Sequence, residues 1–213
     1  MKALILGASG ATGRDVLNLL LQDDRYEEVV IFVRKSLGIS HKKLVTHLVN
    51  FDRISEWGHL LTGDVLFSCL GTTRKAAGSK ELQWKVDYAY QFQVAQMAKQ
   101  QGVTHYILVS SVGADSGSSF FYLRMKGQLE EAIKQLNFTK TTIVQPPSLI
   151  RKAKEKRWSE GLSVKLLNKL SEFGIFTKFK PMPTEVVADA MVKASIIQAP
   201  GVVTWGADEL WRI

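Results

Sequence analysis

The sequence predicts an α/β fold, a doubly wound parallel sheet with a small C-terminal cap. Three observations predict it. Apolar, β-branched runs alternate with helix-periodic segments along most of the chain. The first run breaks directly into a glycine-spaced turn, Gly7-Ala8-Ser9-Gly10-Ala11-Thr12-Gly13. The later runs end in short polar or glycine-containing connections, as βα units do. Crossovers in such a sheet are right-handed, and ligands bind beyond the C-terminal ends of its strands.

The elements follow in order. Lys2–Leu6 reads as the first strand, and residues 14 to 22 as a helix carrying Val16, Leu17, Leu19, Leu20 and Leu21. Strands are expected at Glu28–Val33, Leu44–Val49 and Asp64–Leu70. Residues 81 to 101 read as one long helix with Val86, Tyr90, Val94, Met97 and Ala98 on one face, stopped by Gly102. Thr104–Val109 is a strand, residues 119 to 136 a helix, and Thr141–Val144 a strand ended by Pro146-Pro147. After Pro147 the pattern weakens. A helix is expected over 161 to 173 and a clearer one over Thr184–Ile197, capped by Thr184, before a last strand at Gly201–Trp205. This is read as one domain, residues 1–213, in which residues 148 to 183 form a small cap over the site.

The glycine spacing sits after a strand and opens a helix. Glycine allows positive φ there, and its missing Cβ lets backbone approach a pyrophosphate. The helix N-terminus offers unpaired N–H groups and a partial positive charge. Gly7, Ser9, Gly10, Ala11, Thr12 and Gly13 are therefore candidate dinucleotide contacts; the bland alternative is a tight turn without a ligand. Where NAD-binding folds place an acid after the second strand, this chain has Arg34 and Lys35. Cations there favour the 2′-phosphate of NADP over a bare ribose, unless they simply face water. Asp52 either accepts from the adenine amino group or caps the next helix. Leu70 and Gly71 follow the fourth strand, where glycine lets backbone pass the cofactor. Cys69 reads as a small core residue.

Tyr122 and Lys126 lie four apart on a predicted helix, after Ser110-Ser111 at a strand end. Met125, Leu129, Ile133 and Leu136 share that face, so Lys126 falls inside a buried stripe. Lysine is almost never buried without a partner. Read structurally, the pair is a half-buried phenol and a snorkelling cation; read chemically, it is an acid and the cation that tunes it.

Bulk properties bound the rest. The chain has 213 residues and a net charge of +8. Residues 151 to 180 hold nine basic groups against three acids. That basic stretch reads as a solvated basic surface beside an anionic cofactor, and nucleic acid is not an expected partner. No apolar run approaches the roughly 20 residues of a membrane helix, and the N-terminus reads as a strand, not a signal peptide. The single cysteine, Cys69, excludes an internal disulfide and suggests a cytoplasmic home. Monomer and homodimer both remain open, and no metal cluster is expected.

Together, Gly7-Ala8-Ser9-Gly10-Ala11-Thr12-Gly13-Arg14, Val33-Arg34-Lys35, Cys69-Leu70-Gly71-Thr72-Thr73-Arg74, Ser110-Ser111-Val112-Gly113-Ala114-Asp115 and Tyr122-Leu123-Arg124-Met125-Lys126 resemble the short-chain dehydrogenase/reductase superfamily. The match is to its atypical, Tat-interacting-protein-like branch. The resemblance spans nearly the whole chain, and Arg157 with Glu160 echoes an Arg-x-x-Glu stretch. It implies a Rossmann fold, NADPH/NADP+ as cofactor, and a triad of Ser111, Tyr122 and Lys126. It also implies cofactor contacts at Pro146, Leu149 and Arg157. Such an enzyme would transfer hydride to a small carbonyl substrate. Tyr122 would act as general acid, with its pKa lowered by Lys126 and the oxidised nicotinamide. Asp87 stands where many relatives use an asparagine in a proton relay, and a carboxylate cannot both donate and accept as an amide does. A second reading is a non-catalytic NADPH-binding redox sensor or interaction module.

Overall fold

The computed structural model describes residues 1–150 and 180–213. Seven parallel strands form one sheet in the order β3-β2-β1-β4-β5-β6-β9. They are β1 (Lys2–Leu6), β2 (Glu28–Val33), β3 (Leu44–Leu48), β4 (Val65–Ser68), β5 (His105–Val109), β6 (Lys140–Val144) and β9 (Gly201–Trp205). Leu4 pairs with Val30 on one side and Leu66 on the other, so β1 is central. The chain reverses direction across the sheet between β1 and β4. That switch point opens a crevice beyond the strand ends.

The sheet buries both faces. Ala3 and Ile5 of β1 pack with α1 (Ala11–Gln22) and α7 (Thr184–Ile197), while Leu4 and Leu6 pack with α5 (Tyr90–Gln100) and α6 (Phe121–Gln135). Period-2 alternation puts successive β1 residues into opposite cores. In α1 the spacing of Val16, Leu17 and Leu20 makes one fully buried stripe. The helix starts at Ala11, inside the glycine turn and three residues before the start expected at residue 14.

The expected long helix is not uniform. It comprises α4 (Lys80–Trp84), a π turn at Lys85–Ala89 and α5. The extra residue in the π turn rotates the face. Val94 and Ala98 are fully buried, but Val86 and Tyr90 are only partly so. The residue brought inward is Asp87, 2% exposed. Such insertions are frequent at functional sites.

Thr184 is not the cap of α7. Pro183 occupies that position, and the Thr184 hydroxyl donates instead to Asp15 of α1 at 2.7 Å. Three elements lacked a sequence pattern: the paired two-residue strands β7 (Leu149–Ile150) and β8 (Met182–Pro183), and α8 (Ala207–Arg212). The helix expected over 161 to 173, and most of the expected cap, lie outside the described residues. The described residues also form two short helices, α2 (Ile54–Trp57) and α3 (Arg74–Ala77).

Candidate active site

The glycine turn closes because two of its glycines have no room for a side chain. Gly7 has φ +86°, and a Cβ there would lie 2.6 Å from the Cys69 carbonyl carbon. A Cβ on Gly13 would lie 2.3 Å from the Gly7 carbonyl oxygen. Gly10 differs, since its nearest neighbour would be 3.4 Å away. It opens α1 without a side-chain cap, leaving the first helical N–H groups facing the crevice. One residue past the turn, the buried Arg14 Nε has no partner among the described residues. A cradle of this shape, with unpaired donors, fits a pyrophosphate.

The crevice has two lobes, with cavity volumes of about 840 and 420 Å³. They share Ser9, Gly10, Cys69, Leu70, Gly71 and Thr72, so they form one groove. Gly7, Arg34 and Asp52 line the larger, outer lobe. Ala11, Thr12, Tyr122, Lys126 and Leu149 line the inner lobe. Other expected residues stand behind this wall. Gly13 packs under the turn, and the buried Pro146 accepts from the Val112 amide at 3.0 Å. Lys35 is exposed next to Arg34. Ser111 lines neither lobe; its hydroxyl donates to the Val112 carbonyl at 3.3 Å, near enough to the Tyr122 phenol to act against the rise in its pKa. Arg157 lies outside the described residues.

In the outer lobe, Asn50 caps the helical turn after β3 by accepting from the Asp52 amide at 2.9 Å. The capping alternative for Asp52 therefore falls. Its carboxylate pairs with Lys85 Nζ at 2.5 Å and accepts from the Tyr90 hydroxyl at 2.5 Å. Those two contacts hold its pKa below the ordinary value. Lys85 and Tyr90, which line this lobe, lie on the helix read from sequence only for its apolar face.

In the inner lobe, Lys126 is 3% exposed, as its place in the buried stripe predicts. Its ammonium donates to the Val109 carbonyl at 2.8 Å. Burial lowers its pKa, opposed by the charges of Asp87 and Glu130. Glu130, one turn further along α6, was not anticipated, although its i+4 spacing from Lys126 was visible. It is buried and accepts from the Ser110 hydroxyl and from Gln145 Nε2 at 2.9 Å. Asp87 Oδ2 accepts from the Thr72 amide at 2.8 Å. Burial pushes the Asp87 pKa up to about 6, against Lys126 and the Thr72 bond. The Tyr122 pKa departs from expectation. The side chain is 40% exposed at the rim, yet the protein around its phenol and the Asp87 charge push the pKa up to about 12. Burial likewise pushes the Cys69 thiol up to about 12, so it is not a reactive thiolate at neutral pH.

Comparison with known proteins agrees with this geometry. The NAD(P)H-binding family profile matches residues 7–196. Protein HTATIP2 of Rattus norvegicus is 35% identical over 172 residues, covering 79% of this chain and 71% of that protein. The chain is an atypical short-chain dehydrogenase/reductase of the Tat-interacting-protein-like group. Protein fmp52, mitochondrial, of Aspergillus fumigatus is 32% identical over 221 residues, covering 97% of this chain and 92% of that protein. The fold also matches a short-chain dehydrogenase/reductase superfamily protein of Agrobacterium tumefaciens with bound NAD. Its TM-score is 0.74 at 13% identity, over 98% of this chain and 78% of that one. A UDP-glucose 4-epimerase of Thermotoga maritima matches with a TM-score of 0.73 at 14% identity, over 100% and 81%. These two likenesses show the doubly wound Rossmann fold. Membership of the NAD(P)H-binding family supports a nicotinamide cofactor as the protein's ligand class.

One expectation is overturned. The fungal relatives are named mitochondrial, which points to mitochondria and away from the cytoplasm. A lone cysteine excludes only a disulfide within the chain, and several compartments satisfy that condition. Among the described residues no helix is long and apolar enough to cross a membrane, and no cluster of residues could hold a metal ion.

Proposed function

We propose that this protein is an NADPH-dependent reductase of a small carbonyl compound. The observation that carries the reading is the burial of Lys126 one helical turn from Tyr122, in a lobe continuous with the glycine turn. A cation in that position has a purpose if it holds the hydroxyls of the nicotinamide ribose. Gly7 to Gly13 and the α1 N-terminus would hold the pyrophosphate, and Leu70 and Gly71 would let the cofactor lie against backbone. Arg34, with Lys35 beside it, would pair with the 2′-phosphate. Asp52 would face the adenine, and Pro146 and Leu149 would border the nicotinamide.

The bound cofactor supplies hydride to the carbonyl carbon. Ser111 and Tyr122 would bind the carbonyl oxygen, and the Tyr122 phenol would give it a proton, leaving phenolate. A phenol with its pKa pushed up to about 12 is in the acid form at neutral pH, as a reduction requires. Exposure at the rim lets solvent return the proton. Leu149 and Thr184 both line the inner lobe and flank residues 150 to 183, which supports residues 148 to 183 as the substrate cap.

A second reading is a non-catalytic NADPH-binding sensor, favoured by the Asp87 carboxylate where relatives use an amide. Tyr122→Phe separates the two. Under the reductase reading it retains NADPH binding and loses turnover on a panel of aldehydes and ketones. A wild-type protein that binds NADPH tightly but turns over nothing on that panel establishes the sensor instead.

A further inference from the structure

The inner lobe and the packing around Lys126 hold an uneven set of buried charges. Asp87 and Glu130 are two carboxylates, Lys126 is one ammonium, and each is at most 5% exposed. The ammonium bonds to a backbone carbonyl, which carries no full charge to balance. The other titratable groups in electrostatic contact are Tyr122 and Cys69, both neutral at physiological pH. With all three charged groups ionised, the buried cluster around Lys126 carries one excess negative charge. Burying such a charge is costly unless a proton or a cation neutralises it.

Of the two carboxylates, Glu130 does not line the lobe and is engaged by the Ser110 hydroxyl and Gln145 Nε2. Asp87 lines the lobe directly, beside Tyr122 and Lys126. It is held there by the π turn and the Thr72 amide, with Oδ1 3.3 Å from where a Gly71 Cβ would sit. The two redox forms of a nicotinamide differ in charge at the ring. The oxidised ring is a cation and the reduced ring is neutral.

We infer that Asp87 sets the redox preference of the site, its carboxylate favouring the oxidised cofactor over the reduced one. This rests on the cofactor reading above. When no cation is bound, a proton takes its place below about pH 6, consistent with the upward shift of Asp87 to about 6. Linkage makes the effect reciprocal: the oxidised cofactor expels that proton, and the reduced cofactor does not.

The test is the ratio of the NADPH Kd to the NADP+ Kd, measured by calorimetry at about pH 5 and about pH 8. The 2′-phosphate titrates near pH 6 but is common to both ligands, so it cancels in the ratio. At the higher pH Asp87 is ionised. The wild-type ratio should therefore rise about fivefold between the two, for a charge effect of about tenfold. Asp87→Asn keeps an acceptor for the Thr72 amide and removes the charge. It should flatten the pH dependence and lower the ratio at the higher pH about tenfold. A flat wild-type ratio, or an equal rise in the variant, overturns the inference. Failure of both cofactors to bind overturns the cofactor reading, and this inference with it. Wild-type protein gives an independent measurement near pH 6, in buffers of different ionisation enthalpy. NADP+ should release more protons than NADPH, and equal release overturns the inference without any variant.

Discussion

The Lys126 ammonium donates to the Val109 carbonyl at 2.8 Å, so a backbone oxygen at the end of β5 fixes its position. The carboxylates of Asp87 and Glu130 act on it through their charge. Geometry and charge are thus supplied by different partners. Lys126→Met keeps much of the packing and leaves two buried carboxylates without a counter-charge. Urea unfolding should show a loss of about 3–5 kcal/mol, part of it recovered by adding Asp87→Asn. A loss below about 1 kcal/mol contradicts this account of the lobe.

Gly13→Ala tests the turn. The new Cβ would meet the Gly7 carbonyl oxygen at 2.3 Å, so backbone must move. Both stability and NADPH affinity should fall, with stability lower by about 1–3 kcal/mol. Gly10→Ala, with its nearest contact at 3.4 Å, should be much milder for stability. Equal unfolding midpoints for the two variants would contradict the packing argument.

Arg34→Ala addresses cofactor choice. Arg34 lines the outer lobe, where it would meet the 2′-phosphate. Its loss should weaken NADPH binding about ten- to a hundredfold, the size of a hydrogen bond to a charged group, and leave NADH nearly unchanged. Fluorescence titration with both cofactors checks this, and equal losses would remove the preference for NADP.

His105 predicts a pH dependence of stability. It is buried at the start of β5, bonded to Thr142 at 2.9 Å, and burial lowers its pKa to about 4. The unfolded chain binds a proton near pH 6.5 and the folded one does not until about pH 4. Its contribution is complete above pH 6.5 and is lost as pH falls toward 4, by roughly 3 kcal/mol. Asp87, with its raised pKa, acts in the opposite sense across its own window. Chemical unfolding of wild type and His105→Gln should therefore differ in pH slope between these limits. Parallel profiles refute the assignment.

Much of this molecule was legible from local pattern. The strand–glycine–helix spacing at Gly7 to Gly13 and the apolar periods of α1 and α6 act within a few turns, where steric and burial rules operate on neighbours. The same reasoning placed Lys126 in a buried stripe and Tyr122 one turn before it. Contacts distant in sequence decided the rest. The π turn that carries Asp87 inward interrupts a segment whose apolar residues read as continuous helix. Asp52 is occupied by Lys85 and Tyr90, more than thirty residues away, instead of capping its own turn. The Tyr122 pKa rises where the Tyr122–Lys126 spacing suggested a fall, because protein packs around the phenol and Asp87 approaches from another element. Spacing along a chain specifies which side chains share a face. The charge those side chains carry depends on burial and on partners brought together only when the sheet and its helices close.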